Sequence, residues 1–448
     1  MRKLKAIIRK LDYRQSEETL DYNVSKAQKD IKEQAYDFSK HDKKVYTQNG
    51  KKRLIYSFDT LSTENILCHY LKQEIDNTFR VKYASRPKIM NLFFNTLPAI
   101  KDMNDFVIIR ADFRDFFNSI LTEHVFNNYI RNSILRRADK DIIEQYVNEF
   151  QYCYAGLCLS NELAEIVCRD FDRLIKAKLE QYGIVFYERY VDDILIILKS
   201  YIDKDTFLNI ADSVIKDVFG ECPVSLNKDP DKFSFITCRD LQHAALSAGS
   251  SVEKIVFLGY EFHIFCSNYN IITFKYGISK KKRDRYKHVI EEAFIQYRNT
   301  YDVELLRQRL KLFSSRIVIA RTLGNNSVEW LTNGIISNYS ELRYHLGDLD
   351  NETKRYLKNL FTDILSQYGL ETPYFMNAYN ENENSIYNLY SNLKRNRSII
   401  FERKIGVQRS ILLKWIRKIA PDYAESGKSY YQIVMEYFEL LNINSANS

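Results

Sequence analysis

Tyr190, Val191, Asp192 and Asp193 close an aromatic run and stand just before "ILIIL", an apolar stretch that reads as a buried strand. Strand side chains alternate between faces, so neighbouring aspartates share a face only where a turn breaks the alternation. Two carboxylates held together repel unless a cation lies between them. Oxygen ligands of this kind suit Mg²⁺. One hairpin rarely completes such a site, and Asp112, at the end of "FVIIRAD", is the candidate for a further carboxylate. A strand end meeting a hairpin tip would gather Asp112, Asp192 and Asp193 around two metals. Metals about 4 Å apart activate an attacking hydroxyl and stabilise a leaving phosphate. The plainer reading is a solvated turn with two acids, and Asp112 at a strand end argues against it.

These residues need elements to position them. "DFVIIRAD" is a short strand, and "IVFYERYV" with "ILIILKS" is a tight hairpin about Asp192–Asp193. Leu163, Ile166, Val167, Phe171, Leu174 and Ile175 recur at helical spacing, which predicts an amphipathic helix ending near Gly183. "LSTENILCHYLKQEIDNTF" is a helix with Ser62 or Thr63 as N-cap, and "NGKKRLIYSF" a turn into a strand. "EKIVFLGYEFHIF" predicts one more strand pair. Residues 1–45 read as helical and charged. Past Gly277 the helical pattern dominates, with a stripe of Leu357, Leu360, Phe361, Ile364, Leu365 and Tyr368 and a polar break at Asn380–Ser385. The expectation is an α+β region over 1–277 and an all-helical domain over 278–448.

The chain has 448 residues, 45% hydrophobic, enough for two or three domains with a sizeable core. Its net charge of +8 permits a nucleic-acid partner without demanding one. Thirteen glycines and six prolines are few for this length and favour long helices. Seven scattered cysteines without CxxC or Cys/His spacing argue against structural zinc and fit a reducing compartment. No apolar run approaches a membrane span and the start is too short for a signal peptide, so a cytoplasmic protein off the membrane is expected.

With these motifs in place the chain resembles a reverse transcriptase. "YVDD" is similar to that family's catalytic box and "ADFRDFF" to the box with the first metal aspartate. "NGKKRLI" and "YASRPKI" resemble its two fingers motifs, and "YAGLCLSNELAEI" the box before the palm helix. "SLNKDPDKFSF" and "FLGYEF" resemble the Leu-Asn…Lys box and the primer-grip hairpin. All seven occur in the family's order over residues 45–270. The resemblance implies right-hand fingers and palm followed by a helical thumb-like domain. It implies Asp112 and Asp192 as principal metal ligands, Asp193 as the weaker one, and the Phe113 carbonyl completing one shell. Phe117 would exclude a ribose 2′-OH. Arg53 and Arg86 would hold the triphosphate, and Lys232, or alternatively Lys228, would serve the leaving pyrophosphate. The implied cofactor is two Mg²⁺ ions, with Mn²⁺ as a substitute. Deoxynucleoside triphosphates and nucleic acid are the implied partners, and a homo-oligomer is left open.

Taken singly, Phe116 and Phe117 read as core aromatics, and the basic residues as surface charges. The sequence also departs from the family. Gly156 and Leu157 are kept, but Cys158, Leu159 and Ser160 replace Pro-Gln-Gly, and Lys232 lies five residues after Asn227. That box, with Asn-Glu opening a helix, is similar to the abortive-infection and other defence-associated bacterial enzymes. The implied activity is antiphage DNA synthesis templated by an associated RNA. Template-independent synthesis from a tyrosine hydroxyl and a catalytically inactive nucleic-acid-binding protein are the alternatives. An RNA polymerase is disfavoured by Phe117. "SKKKRDRYK" (Ser279–Lys287) reads equally as a nucleic-acid contact and as a solvated helix start.

Overall fold

The computed structural model describes residues 2–13, 15–48, 51–322, 328–377 and 387–443, with backbone alone at 47, 48, 51–53 and 322. The polar break expected at Asn380–Ser385 lies outside the described residues. Two compact units divide the chain, Met1–His243 and Ala244–Ser448.

In the first unit, helices α1 (Arg2–Leu11) and α2 (Glu17–Glu33) precede an antiparallel ribbon of β1 (Asp42–Gln48) and β2 (Lys51–Ser57). Helix α3 (Thr63–Phe79) starts at Ser62, whose hydroxyl accepts from the Asn65 N–H, so Ser62 is the cap. Helix α4 (Arg86–Lys101) follows, with Pro87 in its first turn, where its missing N–H costs nothing. Strand β3 (Val107–Asp112) leads, through α5 (Arg137–Glu149), to α6 (Cys158–Leu179), the helix expected from the 163–175 stripe. Gly183 then takes a φ of 67°, and β4 (Ile184–Tyr190) and β5 (Asp193–Leu198) form the expected hairpin. Helix α7 (Lys204–Phe219) and strand β6 (Ser234–Thr237) complete the series, and helix α8 (Cys238–Ala248) runs across the division at residue 243.

The sheet order is β4-β5-β3-β6, antiparallel throughout. Because β-strand side chains alternate, one face of β3 and β5 carries Val107, Ile109, Ala111, Ile194, Ile196 and Leu198. That face joins Phe171 and Ile175 of α6 and Phe207 and Ala211 of α7 in the core. The opposite face carries Arg110, Asp112 and Asp193. Burying the first face therefore fixes the register that presents these polar groups together on the second.

The second unit holds an antiparallel sheet of β7 (Ser250–Phe257), β8 (Tyr260–Ser267) and β9 (Ile272–Ile278). Helices α9 (Lys280–Thr300) and α10 (Val303–Phe313) follow. Then come β10 (Arg316–Thr322) and β11 (Val328–Asn333), helices α11 (Asn351–Gln367) and α12 (Leu389–Arg395), strand β12 (Ser398–Phe401), and helices α13 (Arg409–Arg417) and α14 (Tyr430–Leu440). Strand β10 pairs antiparallel with β11 and parallel with β12.

The all-helical expectation for 278–448 is thus corrected. In "RIVIA", Ile317 and Ile319 are buried while Val318 and Ala320 are less so, a period of two that helical neighbours on both sides masked. Ile399 and Phe401 of β12 bury on the same core with Leu412, Ile416, Ile433 and Phe438. The β7–β9 sheet lies within the second compact unit.

Candidate active site

Asp112 is the last residue of β3 and Asp193 the first of β5, and the two are directly paired across the antiparallel ladder. Directly opposed residues project from the same face with Cβ atoms about 5 Å apart. Asp192 sits in the β4–β5 turn. One carboxylate oxygen from each of Asp112, Asp192 and Asp193 lies within 4.8 Å of the others, with Asp112 buried and the other two half-buried. The three acids expected to converge do so.

The turn is strained and doubly held. Val191, a β-branched residue, adopts a φ of 59°, a left-handed conformation that such side chains seldom take. Arg189 Nη1 donates to the Val191 carbonyl at 2.9 Å, and the Phe113 N–H donates to the Asp192 carbonyl at 3.3 Å. Arg189 is itself buried and bonded to both Glu165 oxygens at 3.0 and 2.8 Å and to Asp172 at 3.0 Å. Helix α6 supplies both acids, so the core helix grips the turn through one guanidinium.

Two cations face the triad. Arg110, two residues before Asp112 and on the same strand face, donates from Nη2 to Asp193 at 3.1 Å and from Nη1 to the Asp231 carbonyl at 2.7 Å. Lys232 Nζ donates to Asp112 Oδ2 at 2.5 Å. The segment bearing Lys232 is tied to β3, because the Asn227 N–H donates to the Asp112 carbonyl at 2.7 Å and the Arg114 N–H to the Ser225 carbonyl at 2.9 Å. Burial, then the charges of Asp112 and Asp193, push the Asp192 carboxyl up to about 6. Burial also raises Asp193, with Arg110 working against it. Proximity of three acids that raises a carboxyl in this way is relieved by a cation, and the donors are all hard oxygens, so the residues fit Mg²⁺ or Mn²⁺.

The other expected residues fall at varying distances from this cluster. Phe113 is buried, its ring 5.1 Å from that of Phe171 and 5.4 Å from that of Phe116. Phe116 is buried while Phe117 is half-exposed, which separates a core ring from an accessible one. Arg86 opens α4 and is half-buried. Arg53 lies on β2 opposite Tyr46, and its side chain is outside the described residues. Lys228 does not join the triad; it lies 4.0 Å from Asp212 on the surface. Gly156 is required for a visible reason. Its φ is 97°, and a Cβ there would sit 2.3 Å from the Tyr56 carbonyl, where the chain closes on β2 through a bond from the Tyr56 N–H to the Ala155 carbonyl.

Arg110, Arg189, Glu165 and Asp172 were not singled out from the sequence. The signal for both arginines was present: a charge inside an apolar strand must find a partner when buried.

No family model and no curated protein matches the chain. Among solved structures it is similar to telomerase from Candida tropicalis in complex with a TWJ fragment of telomeric RNA, at 13% identity and a TM-score of 0.35, over 90% of this chain and 64% of that one. Telomerase from Candida albicans with the same kind of fragment gives 12% identity and a TM-score of 0.36, over 89% of this chain and 64% of that one. A truncated apo form from Candida tropicalis gives 14% and 0.34, over 54% of this chain and 55% of that one. The chain thus spans less than two-thirds of the length of these proteins. With TM-scores this low, the functional reading rests on the residues themselves. Among the described residues no helix is long and apolar enough to cross a membrane.

Proposed function

We propose that the chain is a DNA polymerase of reverse-transcriptase type that joins deoxynucleotides by phosphoryl transfer, acts in antiphage defence and copies an associated RNA. The observation that carries the chemistry is the convergence of Asp112, Asp192 and Asp193 within 4.8 Å from two separate stretches of chain. Unneeded clustered acids are costly, which disfavours a purely binding role.

Asp112 and Asp192 would hold two Mg²⁺ ions, with Asp193 the weaker ligand because Arg110 already claims one of its oxygens. The Phe113 carbonyl would complete a shell. Bound there, the metal would lower the pKa of the attacking hydroxyl and offset charge on the departing pyrophosphate. Lys232, an ammonium beside Asp112, would donate a proton to that leaving group. Arg53 and Arg86 would grip the triphosphate through forked hydrogen bonds. Phe117, the accessible ring of the pair, would exclude a 2′-OH.

The test is incorporation of labelled deoxynucleotide by the purified protein with Mg²⁺ or Mn²⁺, with and without co-purifying RNA. Loss of incorporation in Asp112→Asn supports the reading. No incorporation by the native protein under any of these conditions would favour the inactive binding protein instead. The replacement of Pro-Gln-Gly by Cys158, Leu159 and Ser160 favours a second version, untemplated synthesis from a tyrosine hydroxyl. DNA that is released from the protein only by protease would establish that version.

A further inference from the structure

Arg110 is buried inside the apolar strand β3, and its guanidinium divides between two partners. Nη2 donates to Asp193 Oδ1 at 3.1 Å, and Nη1 donates to the Asp231 carbonyl at 2.7 Å. Nε is buried with no hydrogen-bond partner among the described residues. Neutralising Asp193 alone would be served best by the two parallel bonds that a guanidinium makes to a carboxylate. Arg110 instead directs its shorter bond to a neutral backbone oxygen and leaves the Nε–H unmet.

That oxygen belongs to the peptide unit leading into Lys232. A peptide unit is planar, so its carbonyl and its N–H point to opposite sides and move together. The N–H of this unit, that of Lys232, donates to the Asp229 carbonyl at 2.8 Å. The plane is therefore held from both sides. The segment is also anchored at its ends. The Asn227 N–H donates to the Asp112 carbonyl, and Ser234 pairs with Arg110 across β6 and β3. Between those ends the Lys232 side chain is 38% exposed, yet its ammonium meets Asp112 at 2.5 Å. Holding so flexible a chain in one place costs entropy, and fixing the peptide plane ahead of it removes the backbone share of that freedom.

We propose that Arg110 is a positioning residue for Lys232: by bonding the Asp231 carbonyl it sets the peptide plane from which the lysine reaches Asp112. The task of Lys232 rests on the proposed polymerisation; the clamp itself does not. The competing account is that Arg110 is only the counter-charge of Asp193.

Arg110→Lys separates the two accounts, because an ammonium keeps a charge beside Asp193 but lacks the planar fork that reaches both partners. Amide hydrogen exchange is read on the full chain in metal-free buffer. Amides of residues 227–233 should exchange about tenfold faster in Arg110→Lys, the effect of one lost hydrogen bond, while those of β4 and β5 keep their wild-type rates. In single-turnover incorporation with Mg²⁺, Arg110→Lys should fall about a hundredfold, as far as Lys232→Ala does. The double variant should fall no further, because both changes remove the same group from its place. Unchanged exchange over 227–233, or losses that multiply in the double variant, overturn the clamp. If Arg110→Lys does not fold, Arg110→Met combined with Asp193→Asn takes its place in the exchange measurement, since that pair strands no buried charge. A wild-type chain that incorporates nothing defeats the polymerase reading and leaves the exchange result to decide the clamp.

Discussion

Lys232 and Asp112 stand 120 positions apart in the chain, yet the Lys232 ammonium is 2.5 Å from Asp112 Oδ2. Lys228, four residues earlier, faces Asp212 instead. The sequence left the choice between these two lysines open; Lys232 is the one of the two bonded to a triad acid, which supports it for the proposed role. Lys232→Ala should lower deoxynucleotide incorporation about a hundredfold, in the range typical of removing a general acid. Lys228→Ala should leave it within about twofold. Equal losses in single-turnover assays would mean that neither lysine has a specific place at the triad.

Asp192 makes the stability of the metal-free protein depend on pH in an unusual direction. Its folded value of about 6 exceeds the ordinary carboxyl value near 3.9. A raised carboxyl binds its proton more tightly in the folded chain, so the cost is absent below about pH 4, grows through pH 6 and is complete above it. Asp192→Asn removes that cost. In metal-free buffer the variant should melt about 2–4 °C above the wild type near pH 7.5 and level with it near pH 4. Mg²⁺ should narrow the gap near pH 7.5 by stabilising the wild type. A variant that melts lower than the wild type near neutral pH would show that the triad is not repulsive.

Phe116 and Phe117 are adjacent in sequence but differ in burial, and their substitutions should separate. Phe116→Ala opens a cavity beneath the Phe113 ring and should cost about 3–5 kcal/mol in urea unfolding. Phe117→Ala should cost less and change selectivity, raising ribonucleotide use relative to deoxynucleotide use. If Phe117→Ala keeps the native preference for deoxynucleotides, the gate lies elsewhere.

The triad was legible because side-by-side aspartates before an apolar run demand a turn, and Asp112 closes a run of the same kind. Ser62 and Gly183 were legible because a cap and a left-handed stop are local. Arg110 and Arg189 were harder. Their partners, Asp193, Glu165 and Asp172, lie 17 to 83 positions away, and only the folded sheet and helix bring them close. Strands β10 to β12 escaped for a different reason. Each is short, and the parallel pairing of β10 with β12 joins segments separated by helices α11 and α12.

Arg189 is the residue on which the geometry of the turn most depends. It connects Glu165 and Asp172 on α6 to the Val191 carbonyl, and Val191 would leave its left-handed conformation if released. Arg189→Ala strips buried Glu165 and half-buried Asp172 of their counter-charge, which should cost about 3 kcal/mol. Arg189→Lys keeps the charge but cannot bond Glu165, Asp172 and Val191 at once, because an ammonium lacks the planar fork. The lysine variant should therefore recover much of the lost stability while incorporation stays low. Urea unfolding and incorporation measured on the same three proteins check this. If both quantities recover together in the lysine variant, the guanidinium serves packing alone and does not set the position of Asp192.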